Sequence, residues 1–284
     1  MARLPLTRAA LVAGALSFAF AAAPAPAPPQ GPEARPSGAP AAKTPTTKEE
    51  ALATLKEMST TLSSAKTMRF KVQNLVPMKA PSGDWVTLSG GATVMRDGRN
   101  KLSAETSGDL FPFRLYFDGK TVTAFAAEKN MYAQQDSPGT IDDMLTRAAK
   151  RGELVFVFAD LVSSDPYAAM TRGVQNAFVV GTSTIDGVET RHLLVHSKLV
   201  DWEIWIGTQD RLPRLVTITD TREARKPTQI VRLSDWALDA SLPTDAFAFT
   251  APTGATQVPF RDPRKAMAAG RRGAPAQRPT GGSP

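Results

Sequence analysis

Apolar residues recur on one helical face at Leu52, Leu55, Met58 and Leu62, while Lys48, Glu49, Lys56 and Glu57 take the other side. That period predicts a helix lying against something larger. Thr47 and Glu50 stand just ahead of it at capping-box spacing. From Met68 the period changes to two. Met68, Phe70 and Val72 alternate with Arg69, Lys71 and Gln73, the pattern of a half-buried strand. Similar segments follow at about 85–95, 101–106, 113–117, 121–127 and 131–134. Asp97-Gly98, Asp118-Gly119 and Glu128-Lys129-Asn130 separate them, so an antiparallel meander is predicted.

The alternation breaks at Pro138. Thr140 and Asp143 can cap a short helix carrying Ile141, Met144 and Leu145. Leu154 to Phe158 is apolar throughout, and period alone does not separate a strand from a buried helix there. Asp165-Pro166 is a helix start, cap then first-turn proline, for a turn at 167–170. A second meander is predicted at about 174–184, 189–197, 200–206, 214–219 and 229–238, with Asp186-Gly187 as its first turn. In residues 200–206 the even-numbered members form an apolar row, and Asp201 and Glu203 face away beside Trp205. The fold class is therefore α+β: a large curved antiparallel sheet of roughly ten strands, with one long N-terminal helix and a short helical insert on its concave face.

Strict alternation collects Phe70, Phe113, Leu115, Phe117, Trp202 and Ile204 on one sheet face. The helical stripe with Leu55, and the segment with Phe156 and Phe158, must cover that face. Two outcomes are open: a dry packed core, or a hydrophobic cavity lined by these nine residues that holds an apolar guest.

The ends of the chain look different. Residues 1–22 have a basic start (Arg3, Arg8), an apolar run from Ala9 to Phe20 and a small-x-small Ala19-Phe20-Ala21. These are the marks of a signal peptide cut after Ala21 or Ala22, with an apolar run too short to span a bilayer of ~30 Å. A Pro/Ala-rich linker (23–45) and a basic tail (253–284) flank the body at 46–252, and their composition predicts disorder. The chain carries +7, but residues 44–252 hold 24 basic and 25 acidic residues. The excess charge lies in the ends, and the neutral body argues against nucleic acid as a partner. Arg261, Arg264, Lys265, Arg271, Arg272 and Arg278 leave two expectations for the tail, a solvated segment that aids solubility or a weak attraction for anionic membrane surfaces.

Cysteine is absent. That excludes disulfides, thiolate metal sites, cysteine nucleophiles and an acylated lipoprotein cysteine. His192 and His196 are four apart within a strand, ~13 Å from each other, which does not suit one shared ion. Gly119-Lys120-Thr121 lacks the upstream glycine of a phosphate loop, because Arg114 stands there. No nucleophile elbow or dinucleotide fingerprint is present. Asp142-Asp143 and Asp201/Glu203 are acid pairs of the kind that solvated caps and strand faces carry. No metal, cofactor or catalytic residue is expected, and the chain does not read as an enzyme.

Tyr116-Phe117-Asp118-Gly119-Lys120-Thr121, Tyr132, Ile185-Asp186-Gly187-Val188 and His192 together resemble DUF2092, a family of predicted bacterial periplasmic proteins. Asp201-Trp202-x-x-Trp205-Ile206, Leu212-Pro213-Arg214, Ile218-Thr219-Asp220, Pro227 and Trp236 complete the pattern over about residues 50–252. The family is similar in fold to periplasmic lipoprotein carriers and outer-membrane lipoprotein receptors. The resemblance implies an unclosed β half-barrel with a helical lid and a hydrophobic cavity between them. The leading expectation is a soluble periplasmic binder or carrier of an apolar ligand: a lipid, an acyl chain or a lipoprotein anchor. An envelope sensor or scaffold that binds another protein is the alternative, and an unrecognised hydrolase the third.

Overall fold

The computed structural model describes residues 47–109, 112–151, 157–198 and 200–260. The expected signal peptide and linker, and the basic residues from Arg261 onward, lie outside the described residues. Helix α1 (Lys48–Ser64) leads into six strands: β1 (Thr67–Lys79), β2 (Trp85–Asp97), β3 (Lys101–Gly108), β4 (Arg114–Phe117), β5 (Thr121–Ala126) and β6 (Met131–Asp136). Helices α2 (Ile141–Arg151), α3 (Ala159–Val162) and α4 (Pro166–Met170) form the insert. The second meander is β7 (Val174–Ile185), β8 (Val188–Ser197), β9 (Val200–Gly207), β10 (Pro213–Asp220) and β11 (Thr228–Leu238), followed by the two-residue β12 (Thr256–Gln257).

The last long strand returns to the first. β11 pairs with β1 antiparallel, which joins the two meanders into one twelve-stranded sheet ordered β12-β6-β5-β4-β3-β2-β1-β11-β10-β9-β8-β7. Its ends do not meet, so the sheet is unclosed. The count is twelve rather than roughly ten. One extra strand, β12, pairs parallel with β6 and falls in the segment whose composition reads as tail. Asp97-Gly98 and Asp118-Gly119 turn as their sequence predicts, with Gly98 at φ +59° and Gly119 at φ +85°.

Alternation sets two faces. On the inner face Met68, Phe70, Val72, Val94, Leu102 and Phe117 are buried beneath α1, which contributes Ala51, Leu55, Met58 and Leu62. Burying each large apolar side chain stabilises the fold by ~1.5–3 kcal/mol. Arg96 shares that face at 3% exposure. Its Nη2 donates to the carbonyls of Leu62 (3.0 Å) and Ala65 (2.7 Å), the open C-terminal acceptors of α1. One guanidinium thus fastens the helix end to the sheet, and burial lowers its pKa.

The caps follow the sequence. Thr47 accepts from the Glu50 amide, but the Glu50 carboxylate is engaged by Arg191 of β8 and ties α1 to the far end of the sheet. Thr140 and Asp143 cap α2 reciprocally: Thr140 N donates to Asp143 Oδ2 at 2.9 Å and Asp143 N to Thr140 Oγ1 at 3.2 Å. Asp165 accepts from Ala168 N at 2.9 Å ahead of Pro166. Asp165→Ala should cost ~1 kcal/mol, seen as a drop of ~2–4 °C in the thermal midpoint. An unchanged midpoint would mean that α4 does not need its cap.

The outer face is covered at one end. Phe249 sets its ring against Tyr116, Phe125 and Tyr132 at 5.6, 5.4 and 5.0 Å. Beyond it the chain wraps the β6 edge as β12.

Acid should loosen these turns and caps. Arg222 and its amide hold the Asp220 carboxyl down at about 2. The Thr140 amide and hydroxyl lower that of Asp143. Burial pushes Asp118 up, yet the Thr121 and Lys120 amides outweigh it and its pKa is lowered. A carboxyl whose folded pKa is depressed stabilises above its unfolded value of 3.8, and that contribution is lost as pH falls through the folded value. The thermal midpoint should therefore fall between about pH 4 and about pH 2, and Asp143→Asn should reduce the slope there.

Candidate functional site

The inner face is not packed throughout. Register places Val216 of β10 opposite Val231 of β11 and Ile204 of β9, and Ile218 opposite Trp202. These side chains share one face. Among the described residues the helices above them are α3 and α4, four and five residues long, too small to cover it. A cavity of about 240 Å³ remains, lined by Trp202, Val216, Ile218, Val231 and Leu233 on the sheet side. Leu161, Ala169, Met170 and Val157 line the helical side, with Val200 beside them. Its polar groups are Asp160, Arg172 and Ser197.

The lid is held from both sides. Tyr167 N donates to Ser59 Oγ of α1 at 2.9 Å, and Lys56 lies 5.3 Å from the Tyr167 ring centre. The Asp142 carboxylate of α2 accepts from Ser164 N at 3.0 Å. Partial desolvation raises the pKa of Asp160, and the Arg172 guanidinium pulls the other way. The cavity thus has hydrocarbon walls and one acid and one base at exposed positions of its rim.

The residues singled out from the sequence fall into three places. Trp202, 8% exposed, lines this cavity. Phe113 and Leu115 line a smaller void of about 30 Å³ under α2. Leu55, Phe70, Phe117, Phe158 and Ile204 lie in the packed core. Phe70 stacks on Trp236 with ring centres 4.4 Å apart and meets Phe158 edge-on at 6.1 Å. Phe156 lies outside the described residues. Val216, Ile218, Val231 and Leu233 lie on strands expected from the sequence at about 214–219 and 229–238, but are not among the residues that the sequence singled out. What it could not show is that the helices above them are too short.

The polar cluster of the second meander is on the outer face. His192 Nε2 lies 2.7 Å from Glu203 Oε2, and its ring stacks on Trp205 at 3.9 Å. Thr217 Oγ1 donates to Glu203 Oε1 at 3.1 Å, and His196 Nδ1 lies 3.0 Å from Asp201. Each histidine has its own carboxylate, and the sheet separates both from the cavity. Among the described residues no group of three or more metal-ligating side chains converges, and no helix is long and apolar enough to cross a membrane.

Residues 51–261 match a family model described as "Predicted periplasmic protein (DUF2092)". No curated protein matched the sequence. Among solved structures, similarity extends to an uncharacterized conserved protein from Thermus thermophilus, with 12% identity, 75% of this chain and 98% of that one covered, and a TM-score of 0.44. The lipoprotein LppX of Mycobacterium tuberculosis gives 14% identity, 70% and 100% coverage and a TM-score of 0.38. A LolA superfamily protein from Nitrosomonas europaea gives 10%, 72% and 98%, and 0.34. Identities and TM-scores are low in all three.

Proposed function

This chain belongs to the DUF2092 family of predicted periplasmic proteins, and from that premise we propose that it is an exported, non-enzymatic binder of an apolar ligand. The ligand sits between the inner sheet face and helices α3 and α4. The observation that carries this reading is the cavity of about 240 Å³, whose walls are mostly aliphatic and aromatic and whose charged groups, Asp160 and Arg172, stand at exposed positions. Apolar walls with a few placed polar groups are the usual make-up of a small-molecule site. The size refines the ligand. It lies just below the ~300–1,000 Å³ of drug-sized pockets, so it suits one hydrocarbon chain or small ring system rather than a multiply acylated anchor held whole. Asp160 and Arg172 then meet the polar end of an amphiphile.

The basic start and apolar run of residues 1–22 support export to the periplasm. The lack of cysteine supports a soluble protein over a lipid-anchored one. A non-enzymatic role is supported by the placement of His192, Glu203, His196 and Asp201, which lie across the sheet from the cavity.

Titrating detergent-free protein with a fluorescent fatty-acid analogue tests the reading. Saturable binding near one equivalent, competed by an unlabelled fatty acid, is expected. No saturable binding, or binding that no apolar competitor displaces, would count against it.

A further inference from the structure

We propose a second ligand site under α2, for a single-chain amphiphile with a carboxylate head, in which Phe260 is the resident, displaceable occupant. The void of about 30 Å³ lies between Leu115, Val122 and Ala124 of the sheet and Met144, Arg147 and Ala148 of α2. Phe113 and Phe260 complete its apolar wall, with Gln135 and Ser137 on its polar side. Strands β1, β2 and β3 separate it from the larger cavity, so the two sites are distinct.

Arg147 supplies the chemistry. Its Nη2 donates to Ser137 Oγ at 3.0 Å and to the Pro138 carbonyl at 2.9 Å, which fixes the guanidinium plane. Its Nε is buried and has no partner among the described residues. The nearest acid on its own helix, Asp143, is engaged in the cap with Thr140. A buried guanidinium N–H without an acceptor is unfavourable. In the resting state the void has room for a water to accept from it. A carboxylate accepts from it better, because charge and planar geometry both match.

Phe260 limits the space. The parallel pairing of β12 with β6 carries the chain along the sheet edge, and Val258 N donates to the Tyr132 carbonyl at 2.8 Å. Past that bond Pro259 and Phe260 follow, and among the described residues no hydrogen bond holds Phe260. Its ring packs against the core by contact alone. Moving the ring out opens an apolar slot with the Arg147 N–H in its wall. A hydrocarbon chain can replace the ring there, with a carboxylate on Arg147.

Calorimetric titration with dodecanoate and with dodecanol tests this. Dodecanoate should bind here by displacing the ring, and Phe260→Ala should tighten that binding by at least about 10-fold because no ring has to move, whether or not the larger cavity is filled. Adding Arg147→Gln should weaken that binding by roughly 10- to 100-fold, the loss of a charge-assisted hydrogen bond, and leave dodecanol unaffected. Dodecanoate affinity unchanged by Phe260→Ala would overturn the proposal and leave a hydrated void only. So would an Arg147→Gln effect equal for acid and alcohol. A second readout does not depend on opening the slot by truncation. The chain has no cysteine, so Phe260→Cys carries one small environment-sensitive dye. Dodecanoate should shift its emission to that of a solvent-exposed dye, and emission unmoved at saturating dodecanoate would contradict displacement. Because binding here responds to Phe260 and Arg147 and binding in the larger cavity does not, either can fail without the other.

Discussion

Val216→Trp should abolish binding of the fatty-acid probe, with a fall in affinity of at least about 100-fold, because an indole in the cavity removes the space the ligand needs. Val216 is half-buried at the cavity floor, between Val231 and Ile204. The added ring has about 240 Å³ to enter and need not displace packed neighbours. Stability should accordingly change by less than about 1 kcal/mol, against the ~1–3 kcal/mol of an overpacked core. Ile204→Trp is the matched control. Ile204 is 0% exposed and does not line the cavity, so this change should destabilise by that larger amount. Calorimetry and probe titration on both variants separate lost space from lost fold. A Val216→Trp protein that binds the probe normally would place the ligand elsewhere.

Arg96→Met should lower stability by about 2–4 kcal/mol and the thermal midpoint by about 5–15 °C. Methionine keeps the length and apolar stem but removes the donor shared by the Leu62 and Ala65 carbonyls. Each buried acceptor left without a partner costs ~1–3 kcal/mol. Relief from burying a cation, whose desolvation the lowered pKa reports, offsets part of that. The loss should be local first. Amide exchange in the last turn of α1 should accelerate more than in β1 or β2. A change below about 1 kcal/mol would show that apolar contacts alone hold the helix end.

Much of this fold was legible because its strands are wet on one side. Met68-Arg69-Phe70-Lys71-Val72 and the row from Trp202 to Ile206 announce their faces, and Asp165-Pro166 announces its helix. Arg96 was readable in principle: it shares parity with Val94 on a strand whose inner face is buried. Its purpose was not, because the carbonyls it serves lie 31 and 34 residues away. The candidate site was less legible for two reasons. At Asp235, φ +54° and a register shift between β1 and β11 accompany the turn of Trp236 onto Phe70. An aromatic thus fills the space that alternation alone would leave open. The opposite happens over β9–β11, where the sequence shows an apolar face but not the shortness of α3 and α4 above it. Cavities are set by what fails to reach, and a periodic pattern records only what points inward. At the other end, the strap 253–260 has tail-like composition, yet its Thr256 and Gln257 are recruited by the β6 edge and its Phe260 by the core.

Whether the inner-face cavity holds an apolar guest is tested most directly by native mass spectrometry of the chain purified from periplasm without detergent. The expected spectrum contains a population heavier than the apoprotein by the mass of one small amphiphile, extractable into organic solvent and absent from Val216→Trp. A single species at the apoprotein mass that also takes up no added fatty acid would contradict it.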